Sequence, residues 1–143
     1  MLTKTSDTSA TVRPQYGFGI RLTRTTMERA RAELGEALAA EGFGVVSEID
    51  VRATLRKKLD VEMQPYLIIG VCDPGLARRV LEIEPYAGLA LPCNITLWEE
   101  RDAIVLTVAS PKVMMSVLGD ERLRALAVEA ETRLRGALAR LVV

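Results

Sequence analysis

The chain has 143 residues, enough for one domain, and its 49% hydrophobic and 27% charged content is a globular balance that excludes a disordered polymer. Nineteen Lys and Arg offset nineteen Asp and Glu, so no net field favours nucleic acid or an anionic membrane. The absence of histidine excludes Ser-His and Cys-His nucleophile pairs and imidazole metal ligands, and two cysteines are too few for a disulfide scaffold or a four-thiolate zinc site.

Residues 1–15 are rich in Ser and Thr and read as a flexible tail, which leaves residues 16–143 as a single domain. The tail has no apolar core like that of a secretory signal, and no later stretch approaches about 18 unbroken apolar residues. A cytoplasmic protein with reduced thiols and no membrane contact is expected.

Tyr16, Phe18, Ile20 and Leu22 alternate with glycines and Arg21 as a strand, its glycines pointing to close backbone approach. Thr25 and Glu28 have capping-box spacing for a helix that Gly42 stops. In the next strand Glu48 and Asp50 share one face, and Ile49 shares the other with Phe43 and Val45. A short helix over Val51–Leu59 pairs Leu55 with Leu59 and carries Arg52, Arg56, Lys57 and Lys58.

The apolar run from Tyr66 to Val71 reads as a buried strand that delivers Cys72 to a helix opened by Asp73-Pro74. Leu76, Ala77, Val80 and Leu81 face inward in that helix, Pro85 ends it, and Tyr86–Pro92 is a loop or edge segment. Strands from Cys93 to Trp98 and from Ala103 to Val108 form a hairpin. Ser110-Pro111 opens a short helix holding Met114 and Met115. The last helix starts near Asp120, with an apolar stripe from Leu123 to Leu141 and a solvated face of Glu121, Arg124, Glu131, Arg133 and Arg135.

The series predicts one α+β domain: a single mixed, largely antiparallel sheet of about five strands with helices packed mainly on one face. A sheet with one open face invites a cover, and a homodimer is expected.

Several short motifs then combine. Glu48-Ile49-Asp50-Val51, Thr54-Leu55, Lys58-Leu59, Pro65-Tyr66, Gly70-Val71-Cys72-Asp73-Pro74 with Leu76-Ala77, Gly88-Leu89 and Leu91-Pro92-Cys93-Asn94 occur in one order and spacing. Over Tyr16 to Leu141 the chain resembles the DUF302 family, which has the TT1751-like fold. The chain departs from the family pattern at Val71 and Asp73, where Ala and Asn are more usual, and at Asp60, where Gly is usual. The resemblance implies an α+β fold, often dimeric, and no established reaction.

The candidate pocket comprises Glu48, Asp50, Lys58, Cys72, Asp73, Cys93 and Asn94. A strand ending in Cys72 beside one beginning with Cys93 could bring both sulfurs to one end of the sheet, as a thiol redox or binding site; the alternative is two inert core thiols. Glu48, Asp50 and Lys58 could form a carboxylate-ammonium cluster for a polar ligand, or Asp50 could simply cap the helix and Glu48 pair with a surface base. The basic run on the short helix reads as a solvated face, and neither Gly-rich stretch matches a phosphate-binding pattern. Met114 and Met115 read as packing, and no metal or cofactor is expected. The functional reading is a small binding or accessory domain for a small-molecule ligand. A thiol-based redox protein or enzyme using Cys72 and Cys93, and a structural dimeric interaction module, stand as alternatives.

Overall fold

A computed structural model describes residues 11, 12 and 14–142. Residues 1–10 and 13 of the expected tail lie outside that range, whereas Thr11–Val12 (β1) pair with Ile20 and Gly19 of the next strand. That strand, β2 (Gly17–Thr23), turns Phe18, Ile20 and Leu22 toward the core. A Cβ at Gly17 or Gly19 would collide with the carbonyl oxygens of Val108 or Leu106, the close approach that its glycines predict.

The first helix, α1 (Met27–Ala40), is capped by Thr26, one residue later than expected, with the Arg29 amide donating to Thr26 Oγ1. It ends in a Schellman motif: Phe43 N–H donates to Leu38 and Gly42 N–H to Ala39, with Gly42 at φ +88°. Ala30, Leu34, Ala37 and Leu38 form its buried stripe. The helix therefore lies across the sheet.

β3 (Gly44–Asp50) pairs with β4 (Tyr66–Cys72), and the register slips between Val45 and Ser47. This bulge corrects the sequence expectation: Val45 stays on the helix side opposite Val71, while Ile49 faces the open side opposite Ile68. Glu48 and Asp50 do share a face, the helix side, opposite Ile69 and Leu67. Between these strands, α2 (Val51–Leu59) is capped by Asp50 and ends on Asp60 in the left-handed region, φ 57°, a conformation glycine adopts without steric cost.

α3 (Pro74–Ile83) follows with Asp73 as its cap and buries Leu76 and Val80, while Leu81, expected inside, is 39% exposed. The segment before Cys93 is a 3-10 turn, Pro85–Ala90, and the Leu91–Pro92 bond is cis. β5 (Cys93–Glu100) and β6 (Ala103–Ala109) form the expected hairpin. α4 (Pro111–Ser116), a 3-10 turn at Glu121–Leu123 and α5 (Arg124–Leu141) complete the chain.

The strand order is β1-β2-β6-β5-β4-β3. Every pairing among the described residues is antiparallel, in keeping with the largely antiparallel sheet expected from the sequence. β2 and β3 run in the same direction, but three strands separate them, so α1 crosses over without creating a parallel pair. Alternate residues of β2, β4, β5 and β6 meet α1, α3, α4 and α5 in one core, with Ile69, Ile95, Leu97 and Leu106 fully buried. The helices thus cover one face of the sheet.

On the opposite face Tyr66 stacks on Trp98, ring centroids 5.4 Å apart, and Trp98 packs on Val105. α5 departs from expectation at Glu131, which is 3% exposed instead of solvated. Its carboxylate accepts from Ser110 Oγ, the Lys112 amide and both Nε and Nη2 of Arg135. Burial works against ionisation of Glu131. The hydrogen bonds from Ser110, Arg135 and the Lys112 amide, with the Arg135 charge, together outweigh it and hold the carboxyl below its ordinary value.

Candidate functional site

The end of β4 and the start of β5 lie side by side because Val71 pairs with Cys93 across the ladder. Cys93 turns toward the helix side with Val71, whereas Cys72, one residue further along β4, alternates to the open side with Gly70. Both thiols are free and half-buried. Both residues contribute to the wall of one cavity, completed by Leu76 of α3, Met115 of α4 and Ala127 and Ala130 of α5. Its internal space is about 40 Å³. Met115 and Ala127 also wall an outer, more polar cleft of about 300 Å³ that includes Lys112, Asp120 and Arg124.

The electrostatics of the cavity keep both sulfurs protonated. Burial pushes the Cys72 thiol up, and the Asp73 carboxylate pushes it further. Burial also raises Cys93, to about 11, with the charge of Cys72 adding to it. Thiolate, the form that attacks disulfides and electrophiles, is therefore scarce near neutral pH.

Asp73 stands at the same cavity, but its oxygens are engaged by the fold. Oδ1 accepts from the Leu76 amide at 3.0 Å, capping α3, and Oδ2 accepts from Arg133 Nη2. Arg133 Nε donates to the Glu41 carbonyl at 3.1 Å, and the guanidinium lies over the Phe43 ring. One arginine thus fastens the end of α1 to the start of α3.

The other sequence candidates lie elsewhere. Glu48 Oε1 accepts from Arg31 Nε and Nη2 at 3.0 and 2.9 Å. Asp50 caps α2 through the Ala53 amide, and Lys58 is exposed on that helix. Asp50 is level with Leu67, five residues along β4 from Cys72, or roughly 17 Å at the usual strand rise. Asn94 faces the open side opposite Gly70 and is exposed. The basic residues Arg52, Arg56, Lys57 and Lys58 are all exposed, and Arg56 pairs with Glu62.

Sequence reasoning did not single out α5 as a wall of this cavity and placed Met115 in packing alone. The signal for Met115 was present in Ser110-Pro111, which fixes the start of α4. Ser110 caps that helix through the Val113 amide and so sets which turn faces inward. Among the described residues, no group of three or more His, Cys, Asp or Glu is placed to hold a metal ion, and no helix is long and apolar enough to cross a membrane.

The family model described as "Domain of unknown function DUF302" matches residues 18–141. The chain belongs to the DUF302 family. A crystal structure of an uncharacterized conserved DUF302 protein from Bacillus stearothermophilus superposes with a TM-score of 0.82 at 28% identity, covering 90% of this chain and 99% of that one. A search of curated proteins finds no match. Residues 18–141, the span of the family match, run from β2 to the end of α5 in this DUF302 domain.

Proposed function

We propose that this DUF302 domain is a small binding domain whose ligand site is the cavity that carries Cys72 and Cys93. The observation behind the reading is that residues of β4, β5, α3, α4 and α5, with the Cys93 thiol on the helix side, enclose one apolar space. Pockets for drug-sized ligands hold about 300–1,000 Å³. The internal space here is about 40 Å³, so the ligand is small or inserts only one group.

A thiol redox role is the second reading, favoured by the shared cavity and disfavoured by the raised thiols. A dimeric interaction module is the third. It draws support from the open sheet face, where the Trp98 indole N–H is buried without an acceptor among the described residues and Ile49 is 49% exposed. Free thiols fit a reducing compartment such as the cytoplasm.

The test is a thermal-shift screen of small apolar and thiol-binding compounds on the wild type, Ala130→Leu and the double variant Cys72→Ser/Cys93→Ser. Ala130 is buried on the cavity wall, so leucine there fills the space. Compounds that raise the melting temperature of the wild type should fail with both variants. A screen whose only binders act equally on all three proteins would remove the cavity as the ligand site.

A further inference from the structure

The inner cavity and the outer cleft share a wall: Met115 of α4 and Ala127 of α5 line both. The inner lining is almost wholly apolar, with Val80 and Leu91 beside Leu76 and Ala130. Its one charged residue, Asp73, has its oxygens held by the Leu76 amide and Arg133. Such a space takes hydrocarbon. A water-sized group needs about 10–15 Å³ of it, so about 40 Å³ admits about three methylenes.

The outer cleft supplies the charge. Of its ionised side chains, Asp120 is held at both oxygens by Arg122, and Glu121 pairs with Arg124 at 3.5 Å. Lys112 is left. Among the described residues, the carboxylate in ion-pair range of its ammonium is Glu131, 3.9 Å away, and Arg135 already matches that group at 2.9 Å. One surplus positive charge therefore stands in a polar cleft, divided from an apolar cavity by a methionine, whose unbranched side chain adapts to what lies against it. A carboxylate carries the single negative charge that one ammonium balances. A phosphate monoester, at about −1.5 to −2, would leave charge unmatched beside Asp120 and Glu121.

We propose that the ligand is a short-chain carboxylate of about four to six carbons, its carboxylate on Lys112 in the cleft and its aliphatic end in the cavity beyond Met115. The proposal rests on the reading of the inner cavity as the ligand site and adds the substrate class. Binding changes no covalent bond.

The experiment is an NMR titration of the full, isotope-labelled chain with straight-chain carboxylates from acetate to octanoate, and with the matching alcohols. Affinity should rise about fourfold per methylene until the inner space is filled near hexanoate, then level off. Lys112→Gln alters an exposed side chain and should weaken hexanoate about fivefold while leaving hexanol unchanged. Met115→Ala joins the two spaces and should move the levelling-off to longer chains.

Hexanol binding as tightly as hexanoate, or hexanoate binding Lys112→Gln at wild-type strength, would overturn the carboxylate and spare the cavity as an apolar site. Affinity that climbs evenly through octanoate and is unchanged by Ala130→Leu would overturn the placement of the chain in the inner cavity. No binding by the series, while other small compounds bind in the thermal-shift screen, would overturn the substrate class alone. Failure of both would overturn it together with the ligand-site reading.

Discussion

Glu131→Gln tests whether the buried carboxylate holds α4 to α5. The side chain is 3% exposed and accepts four hydrogen bonds, two of them from Arg135. Glutamine keeps the shape but can present only one accepting oxygen, so its amide N–H₂ must confront donors from Ser110 or Arg135. Hydrogen bonds to a charged group contribute roughly 1.5–3 kcal/mol against about 1 for neutral ones. The Arg135 side chain is 56% exposed and can rehydrate, which discounts its share. A net loss of about 2 kcal/mol follows, or roughly 7 °C in melting temperature for a domain of this length.

The pH dependence gives a second readout. The folded carboxyl titrates below its ordinary value of 4.5, so the stability it contributes is complete above that pH and lost as pH falls through the lower folded value. Melting curves by circular dichroism should therefore show the largest gap between wild type and Glu131→Gln at neutral pH, narrowing in acid. A variant within about 1 °C of wild type at pH 7, with a gap insensitive to pH, would refute the stabilising role assigned to the network.

Cys93 should alkylate slowly: a rise from 9.0 to about 11 cuts its thiolate fraction at pH 8 by about a hundredfold, so peptide mapping after iodoacetamide should find it modified far more slowly than in the urea-unfolded chain. An equal rate would show that the cavity does not desolvate the thiol. Gly42→Ala should destabilise by about 1–3 kcal/mol in urea titration, because the residue sits at φ +88° and a Cβ there would meet Arg133 Nη2 at 2.7 Å and Asp73 Oδ2 at 3.0 Å. Retention of wild-type stability would show that the Arg133 clamp yields at little cost.

Elements announced by local chemistry were legible in the sequence. Asp50, Asp73 and Ser110 mark helix starts because an oxygen that accepts a free amide is a property of three or four adjacent residues. Gly42 marks a stop for the same kind of local reason. The bulge at Val45–Ser47 was not legible, since strict alternation is the default and one extra residue leaves no mark in composition. Glu131 looked solvated because its partners Ser110 and Lys112 lie about twenty residues earlier and meet it only after packing. The candidate site divided on similar grounds. Adjacent strand ends bring Cys72 to Cys93, but strand rise alone separates Asp50 and Lys58 from them, and Arg31 engages Glu48 from a helix that no motif connects to it.

The arginine that joins α1 to α3 also orders events in time. Its bonds to Glu41 and Asp73 span 92 and 60 residues of chain, so neither can form before the terminal helix docks. The same helix supplies Leu126, Ala127 and Ala130 to the cavity wall. Until docking, Cys93 lacks its apolar enclosure and should show the reactivity of an ordinary exposed thiol. Protection of Cys93 during refolding is thus a clock for the arrival of α5, readable by pulsed thiol labelling.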